Sequence, residues 1–366
     1  MPPATPRPRL APRYLVRALL VFVAIAPLAR AANAGALAVF ACSALAIVPL
    51  ASLMGEATEA LASRLGAGVG GLLNATFGNA AELVLALVAL QRGYPEIVKA
   101  SLTGSIIGNT LLVLGAAMLL GGARRERQTF GRAAATASST LLLLAAIALV
   151  VPAAFRLTSA GALPAARASA IEHGLSLFIA AVLFTAYLLG LLFSLRTHRH
   201  LFVGEPAHAS APSPRVGPAL ATLLVATVLV AAMSELLVGA VEGATHALGL
   251  TPLFVGVVVV AVVGNAAEHS TAVVAAIRGR MDLALHVAVG SSTQIALFVA
   301  PALVFASRLM AGRAMDLLFT PFEVLAMLAA ALIVHVVSAD GESNWLEGAM
   351  LIAVYLVFAI AFFFLP

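Results

Sequence analysis

The chain contains little charge and almost no cysteine. Asp, Glu, Lys and Arg make up 10% of its 366 residues, whereas a soluble domain averages about 25%. Cys42 is the single cysteine, which excludes an internal disulfide and a thiolate metal cluster. A soluble chain this apolar would have too little polar surface to face water. The composition therefore excludes a soluble globular protein.

Motifs of common hydrolases are also missing. The sequence has no HExxH motif and no GxSxG motif, and His269 and His286 do not have the spacing of such a metal site. An intramembrane metalloenzyme or hydrolase is therefore disfavoured. We expect that the protein is not an enzyme and holds no cofactor.

Long apolar runs dominate what is present. Hydrophobic residues make up 62% of the chain, and the mean hydropathy is +1.07. A helix needs about 20 apolar residues to cross a bilayer. The pattern predicts an all-α polytopic membrane protein with about 11 transmembrane helices, surrounded by lipid and without a nucleic-acid partner; a homo-oligomer is compatible with it. The predicted spans lie near 14–29, 34–54, 68–91, 97–121, 134–153, 170–195, 217–240, 251–277, 282–307, 317–337 and 345–365.

The chain divides into four segments. Residues 1–33 have the form of a signal peptide and are interpreted as an extra first helix. Residues 34–195 and 217–366 each form a predicted five-helix unit. Residues 196–216 are rich in Pro, Ser, Ala and His, which is typical of a flexible linker.

The distribution of Lys and Arg predicts the orientation. Fourteen arginines, including the cluster Arg124–Arg132, fall on one side of the predicted spans, and seven basic residues fall on the other. Because cytoplasmic loops carry the excess of Lys and Arg, we expect a cytoplasmic N-terminus and an external C-terminus. The expected location is a bacterial-type plasma membrane, since no organelle-targeting signal is present.

The pentapeptide GNAAE occurs twice, at 78–82 and at 264–268. Aligned without a gap, residues 78–105 and 264–291 share twelve identities in 28 positions. We call the constant spacing that places Gly78 opposite Gly264 the repeat offset. Matched Asn, Glu, Arg and Ser at this single offset indicate an internal duplication.

The duplication has a consequence for topology. Five helices per unit would invert the second copy in the membrane. Two inverted repeats with broken helices at the centre, in a 1+5+5 arrangement, are a signature of secondary transporters.

Each pentapeptide places a carboxylate inside an apolar run. Glu82 and Glu268 would be costly there unless they face a cavity or a partner. Asn79 and Asn265 lie three residues before them, on the same helix face. Two carboxylates with amide and backbone oxygens suit a hard cation such as Ca²⁺, and protonation can empty the same site. We therefore predict an ion site formed by Asn79, Glu82, Asn265 and Glu268.

Other polar residues are weaker candidates for a role in transport. Two groups could serve as further ligands, an ion pathway or a gate, or could simply pack helices and cap their ends. The buried group is Ser105, Asn109, Ser291, Ser292 and Gln294, and the acidic group is Glu56, Glu59, Glu235 and Glu242. His269, directly after Glu268, could shuttle protons or be structural. Glu323, Asp340, Glu342 and Glu347 are interpreted as interfacial.

The segments 70–90 and 262–298 resemble the two signature repeats of the Ca²⁺/H⁺ antiporters, the cation-exchanger branch of the Ca²⁺/cation antiporter superfamily. The resemblance runs from about Glu56 to the C-terminus. It implies the eleven-helix fold, export of Ca²⁺ driven by inward proton movement, and central carboxylates at Glu82 and Glu268. Many members have an acidic stretch between the halves, whereas 196–216 contains only Glu205.

The leading interpretation is a transporter that exchanges Ca²⁺ for H⁺ by alternating access. The first alternative is the same fold with Na⁺ as coupling ion, or with Mn²⁺ or Na⁺ as substrate, since all of these ions take oxygen ligands. A passive cation channel is disfavoured, because a channel filter usually needs a ring of identical ligands from several subunits.

Overall fold

The computed structural model describes residues 16–159, 164–201, 215–310 and 314–365. The described chain is helical almost throughout. Residues 1–15 and most of the predicted linker 196–216 lie outside the described ranges, so the division of the chain into four segments stays a prediction.

The helices of the first half follow the predicted order. A short helix, α1, leads into the long α2, and a break separates α2 from α3. The next helix, α4, contains a π-helical segment at Gly108–Val113. The bounds are α1 Phe22–Ala31, α2 Ala36–Phe77, α3 Ala80–Gln91, α4 Pro95–Gly122, α5 Arg132–Ser159 and α6 Ala165–Leu192.

The second half repeats this order. Its first helix, α7, ends at Gly249, which has a φ of 65° and so adopts the left-handed conformation that glycine accommodates. The two helices α8 and α9 are separated by a bend of 62°. The bounds are α7 Val216–Leu248, α8 Pro252–Gly264, α9 Ala266–Ile277, α10 Met281–Leu309, α11 Pro321–Val337 and α12 Trp345–Phe364.

Among the described residues, seven helices are long and apolar enough to cross a membrane, and the bent pair α8–α9 makes an eighth candidate. The shorter helices α3 and α11 are also apolar. The protein is an integral membrane protein, and the predicted all-α polytopic fold is confirmed. The exact number of 11 spans stays a prediction.

The helix α2 folds back on itself. A Cβ atom built on Gly70 would overlap the carbonyl oxygen of Ala62, eight residues earlier. A straight helix would separate these residues by about 12 Å, so the helix bends sharply between them. The part of α2 that is long and apolar enough to cross a membrane is Ala36–Leu65. The segment after the bend returns towards the centre, as the separate predicted spans 34–54 and 68–91 require.

One end of the molecule, which we call the Arg125 end, is held together by contacts between the two halves. The Arg125 guanidinium donates to the carbonyl oxygens of Gly121, at 2.6 Å, and Ile277, at 3.0 Å. These carbonyls terminate α4 and α9, so one side chain caps a helix from each repeat. The backbone N–H of Gly131 donates to Asp282 at 2.6 Å.

The Arg125 end also contains the one departure from an all-helical chain among the described residues. Strand β1, Gln128–Thr129, pairs antiparallel with strand β2, Glu342–Ser343. An ion pair of 3.2 Å between Arg127 and Glu342 lies beside it. This sheet could not be predicted from the sequence, because two-residue strands carry no periodicity.

The opposite end, which we call the Lys99 end, joins the halves in a similar way. The buried Lys99 ammonium lies 3.0 Å from Glu96 and 3.3 Å from Asp316, and donates to the carbonyl oxygen of Leu318 at 3.0 Å. Lys99 belongs to the first half, and Asp316 and Leu318 belong to the second. Loops predicted to share one side of the membrane thus meet at one end of the molecule.

Small residues allow the two halves to cross closely. A Cβ atom on Gly104 of α4 would overlap the carbonyl oxygen of Val257 in α8. A Cβ atom on Gly256 would lie 2.5 Å from the Cβ of Ala100. This close crossing is the usual role of small residues between membrane helices. It brings Ser105, next to Gly104, towards the second repeat.

We predict that Gly104→Ala lowers the free energy of unfolding by about 1–3 kcal/mol, because the added methyl group must push α4 away from α8. Gly55→Ala is the matched control: Gly55 is also helical, and a Cβ atom there meets nothing within 4 Å. Thermal unfolding in detergent measures both variants. Equal melting temperatures for the two would contradict the close crossing.

Candidate cation site at the crossing of the two repeats

Each signature pentapeptide breaks a helix in the same way. Asn79 and Asn265 are the residues before α3 and α9, with backbone angles (φ −103°, ψ 29° and φ −93°, ψ 8°) that interrupt the helix. Glu82 and Glu268 then lie in the first turn of the new helix. The N-terminus of a helix carries partial positive charge, so each break stabilises the carboxylate that follows it.

The breaks also free backbone oxygen atoms. Among the described residues, no backbone hydrogen bond is made to the carbonyl oxygen of Gly78 or Gly264. A Cβ atom on Gly264 would lie 3.6 Å from Cγ and 3.8 Å from Oε1 of Glu82. The carboxylate of the first repeat therefore lies against the break of the second.

Asn79 is held by α10 of the other repeat. Its Nδ2 donates to Oε1 of Gln294 at 2.7 Å, and its Oδ1 accepts from the Ser291 hydroxyl at 2.8 Å. Asn79 and Ser291 are both buried. Two residues from the second repeat thus orient the break in the first.

Asn265 is held by α4 in the inverted relation. Its Nδ2 donates to the Ser105 hydroxyl and to the carbonyl oxygen of Ala261, both at 2.8 Å. At the repeat offset, Ser105 corresponds to Ser291 and Asn79 to Asn265. The two asparagine–serine bonds are therefore counterparts related by the internal duplication.

Asn109 connects the two halves of this network. Its Nδ2 donates to Oδ1 of Asn265 at 3.1 Å and to the Ser291 hydroxyl at 3.2 Å. Its Oδ1 lies 3.1 Å from Nε2 of His269, and since an amide oxygen can only accept, His269 donates this bond. Asn109 is fully buried, so it is the centre of a polar network inside the membrane region.

The two carboxylates border this network. Glu82 is 9% exposed. The side chains of Ser291 and Asn109 are polar groups within reach of the Glu268 carboxyl, and its Oε2 is buried without a hydrogen-bond partner. A buried carboxylate oxygen without a partner is costly and fits a position where a cation binds.

Two π-helical segments accompany the network residues in the two repeats. Gly108–Val113 contains Asn109, and Ile295–Val299 begins directly after Gln294. A π-helical turn widens the helix and is frequent at functional sites. The two segments correspond at the repeat offset, so the duplication preserved a local distortion even where the side chains differ.

The structure brings together most of the predicted residues: Asn79, Glu82, Ser105, Asn109, Asn265, Glu268, His269, Ser291 and Gln294. Ser292 lies beside them but donates to the backbone, at 3.0 Å to Ala288 and 3.4 Å to Ile106.

The predicted acidic residues lie elsewhere. Glu56 pairs with Arg17 at 3.0 Å, and Glu235 pairs with Arg92 at 2.6 Å. Glu242 lies within reach of the Tyr94 hydroxyl. Glu59 lies in α2, about one turn after Glu56.

The burial of Glu323 was not predicted from the sequence. Glu323 was expected at the interface but is 2% exposed. It accepts from the Thr103 hydroxyl at 3.1 Å and forms a capping box with Thr320. The sequence signal was available, because Thr320 and Glu323 have the Thr-x-x-Glu spacing of a capping box. The contact with Thr103 depends on packing between repeats and could not be read from spacing.

No group of three or more His, Cys, Asp or Glu side chains suited to a metal occurs in the described ranges. The candidate site is a pair of carboxylates surrounded by amides, hydroxyls and freed carbonyls, at the crossing of two inverted halves. These features define a class, the inverted-repeat secondary transporters of membranes.

The particular family follows from the sequence. A model of the sodium/calcium exchanger protein family matches residues 35–196 and 218–364. The chain belongs to this family.

Two curated relatives are similar over almost their whole length. A "Ca(2+)/H(+) antiporter" of Synechocystis sp. is 47% identical over 365 residues, covering 95% of this chain and 96% of the relative. A "Ca(2+)/H(+) antiporter" of Aphanothece halophytica is 48% identical over 363 residues, with the same coverage.

A solved structure has the same fold. The structure of native YfkE is 38% identical, with a TM-score of 0.81, and the match covers 96% of this chain and 100% of that chain. The predicted membership in an exchanger family is confirmed by these matches.

We predict that Asn109→Ala weakens Ca²⁺ binding by about 10–100-fold, the usual effect of removing a group that orients metal ligands. The change leaves Asn265 Oδ1 and His269 Nε2 without their buried partner. Thr110→Ala is the matched control, because the Thr110 hydroxyl donates to the carbonyl oxygen of Ile106 in its own helix.

The measurement is the Ca²⁺-dependent rise in melting temperature, since a ligand that binds only the folded state stabilises it. A Thr110→Ala protein that loses as much Ca²⁺ stabilisation as Asn109→Ala would contradict the assigned role of Asn109.

Proposed function

We propose that this protein is a secondary active transporter that exports Ca²⁺ in exchange for protons by alternating access. The observation that carries the proposal is the pair Glu82 and Glu268, each at a helix break, with the Glu82 carboxylate against Gly264 of the opposite repeat. The curated relatives named as Ca²⁺/H⁺ antiporters support it.

The proposed ligands are oxygen atoms from both repeats. Glu82 and Glu268 supply two negative charges, which match one divalent cation. The free carbonyl groups of Gly78 and Gly264 supply neutral oxygens. A flexible all-oxygen site of this kind suits Ca²⁺, which takes six to eight ligands.

The amide oxygens of Asn79 and Asn265 are only partly available to a cation. Their amide oxygens already accept hydrogen bonds from Ser291 and Asn109. Each oxygen retains one lone pair. We propose that they hold the helix breaks in position and bind the cation through the remaining lone pair.

Proton exchange follows from the same two carboxylates. An ionised carboxylate in the membrane interior is costly without a cation beside it. When Ca²⁺ leaves, protonation of Glu82 and Glu268 removes that cost, and protonated carboxyls no longer attract the cation. Ca²⁺ and protons thus compete for one site, which is the requirement for exchange.

We predict that ⁴⁵Ca²⁺ accumulates in everted membrane vesicles whose lumen is acidified, and that collapsing the proton gradient abolishes the accumulation. Glu82→Gln and Glu268→Gln should each reduce uptake to background, because each removes one of two charged ligands. Glu126→Gln is the control, since Glu126 is exposed in the loop of the Arg125 end.

Uptake that survives collapse of the proton gradient and follows an imposed Na⁺ gradient would support the Na⁺-coupled alternative instead. Uptake of Mn²⁺ in preference to Ca²⁺ would reassign the substrate. Full uptake by either glutamine variant would refute the proposed ligands.

The proposed orientation has a cytoplasmic N-terminus and an external C-terminus. The Arg125 end, with its excess of arginine, is then cytoplasmic. We predict that alkaline phosphatase fused to the C-terminus is active in a bacterial host, because that enzyme folds only outside the cytoplasm. A C-terminal green fluorescent protein that is fluorescent would contradict this orientation.

A further inference from the structure

Two contacts at the Lys99 end fasten α7 to the turn between α3 and α4. Arg92 forms an ion pair of 2.6 Å with Glu235, and the Tyr94 hydroxyl lies within reach of the Glu242 carboxylate. Arg92 and Tyr94 belong to the first repeat, and Glu235 and Glu242 belong to the second. These contacts join the two repeats at the Lys99 end.

The repeat offset identifies the counterparts of these contacts at the Arg125 end. Tyr94 corresponds to Arg280, and Glu242 corresponds to Glu56. The contact that corresponds to Tyr94–Glu242 would therefore join a carboxylate on α2 to an arginine in the turn between α9 and α10. The other contact has no such counterpart, because Glu235 corresponds to Pro49.

The structure does not contain the Glu56–Arg280 pair. Glu56 is bound instead by Arg17, just before α1, at 3.0 Å. Arg280 is exposed and forms no ion pair with any described residue. The extra first helix precedes the duplicated region, so the second repeat has no equivalent of Arg17.

Two repeats of similar sequence can adopt each other's conformation, and exchanging them turns an inverted pair inside out. Contacts present at the Lys99 end in one state then have counterparts at the Arg125 end in the other state. From this relation we infer that Glu56 exchanges Arg17 for Arg280 when the Arg125 end closes, so that Glu56 and Arg280 form a gating pair. The inference rests on the proposed alternating-access function.

The Arg17–Glu56 ion pair is weak enough for Glu56 to change partners. The side chains of Arg17 and Glu56 are 52% and 37% exposed, and ion pairs between such exposed side chains contribute little to stability. Glu56 can therefore leave Arg17 readily. Because both partners are arginines, the charge of Glu56 remains balanced in either state, and Arg17 holds it in the state described here.

Cross-linking tests the exchange without a transport assay. Cys42→Ala removes the single cysteine, and two cysteines are then introduced in pairs. The pair Arg17→Cys with Glu56→Cys reports the contact present in this structure. The pair Glu56→Cys with Arg280→Cys reports the inferred contact. Glu56→Cys with Arg278→Cys is the control, since Arg278 corresponds to Arg92, whose partner has no counterpart.

A short bifunctional thiol reagent is applied with and without the added changes Arg92→Ala and Tyr94→Phe, which release the Lys99 end. Release should raise the 56–280 yield and lower the 17–56 yield, each by about twofold to fivefold, the effect of removing one exposed ion pair. A 56–280 yield that does not change, changes no more than the 56–278 control, or rises together with the 17–56 yield would overturn the inference.

Charge reversal supplies the transport readout. Arg280→Glu should reduce ⁴⁵Ca²⁺ uptake by about threefold to tenfold, because like charges then face each other. Adding Glu56→Arg together with Arg17→Glu, which keeps opposite charges at the 17–56 contact, should restore it. Arg278→Glu makes the same change in loop charge and should not reduce uptake. Equal loss in both single variants, or no rescue by the triple variant, would refute the pair. Absence of uptake by the unmodified protein would refute the proposed function, while cross-linking would still decide the exchange.

Discussion

Two carboxylates inside the membrane region constrain the rest of this structure. Glu82 and Glu268 each need a favourable electrostatic environment, and within the described residues no Lys or Arg forms an ion pair with them. The chain meets this need by breaking two helices, so that each carboxylate lies at a helix N-terminus. Breaks in a membrane helix leave backbone groups unpaired, which is tolerated only inside the protein. The breaks must therefore be buried, and crossing the two repeats buries both.

The crossing is symmetric in its supports but asymmetric at its centre. The bonds Asn79–Ser291 and Asn265–Ser105 are counterparts at the repeat offset. Asn109 and His269, however, correspond to Ile295 and Leu83. Asn109 belongs to the first repeat, and its three side-chain partners, Asn265, Ser291 and His269, all belong to the second. The duplication thus supplied the frame, and later divergence supplied the residue that joins its halves.

Much of the candidate site could be predicted, because a polar residue buried in the membrane can be recognised in the sequence by the apolar run around it. A carboxylate in an apolar run stands out, and its repetition at one offset identifies its partner. The interpretation of Glu323 as interfacial stays a prediction, and its burial in the protein was not predicted, because position near a helix start does not reveal which neighbours cover a side chain. The burial of Lys99 against Asp316 and Leu318 was likewise not predicted. The small sheet at the Arg125 end could not be predicted either, since its strands are only two residues long.

The sequence by itself determined the membrane fold and the internal repeat, and it pointed to Glu82 and Glu268 as the candidate carboxylates, because hydropathy and internal identity are properties of the chain alone. Tertiary structure decided which groups meet. Asn109 became the centre of the network rather than a peripheral residue, and Glu56 and Glu235 became partners of arginines. The physical reason is that these contacts join residues 39 to 182 positions apart. Their geometry depends on how closely the helices approach where the two repeats cross, and the small residues Gly104 and Gly256 permit that close approach.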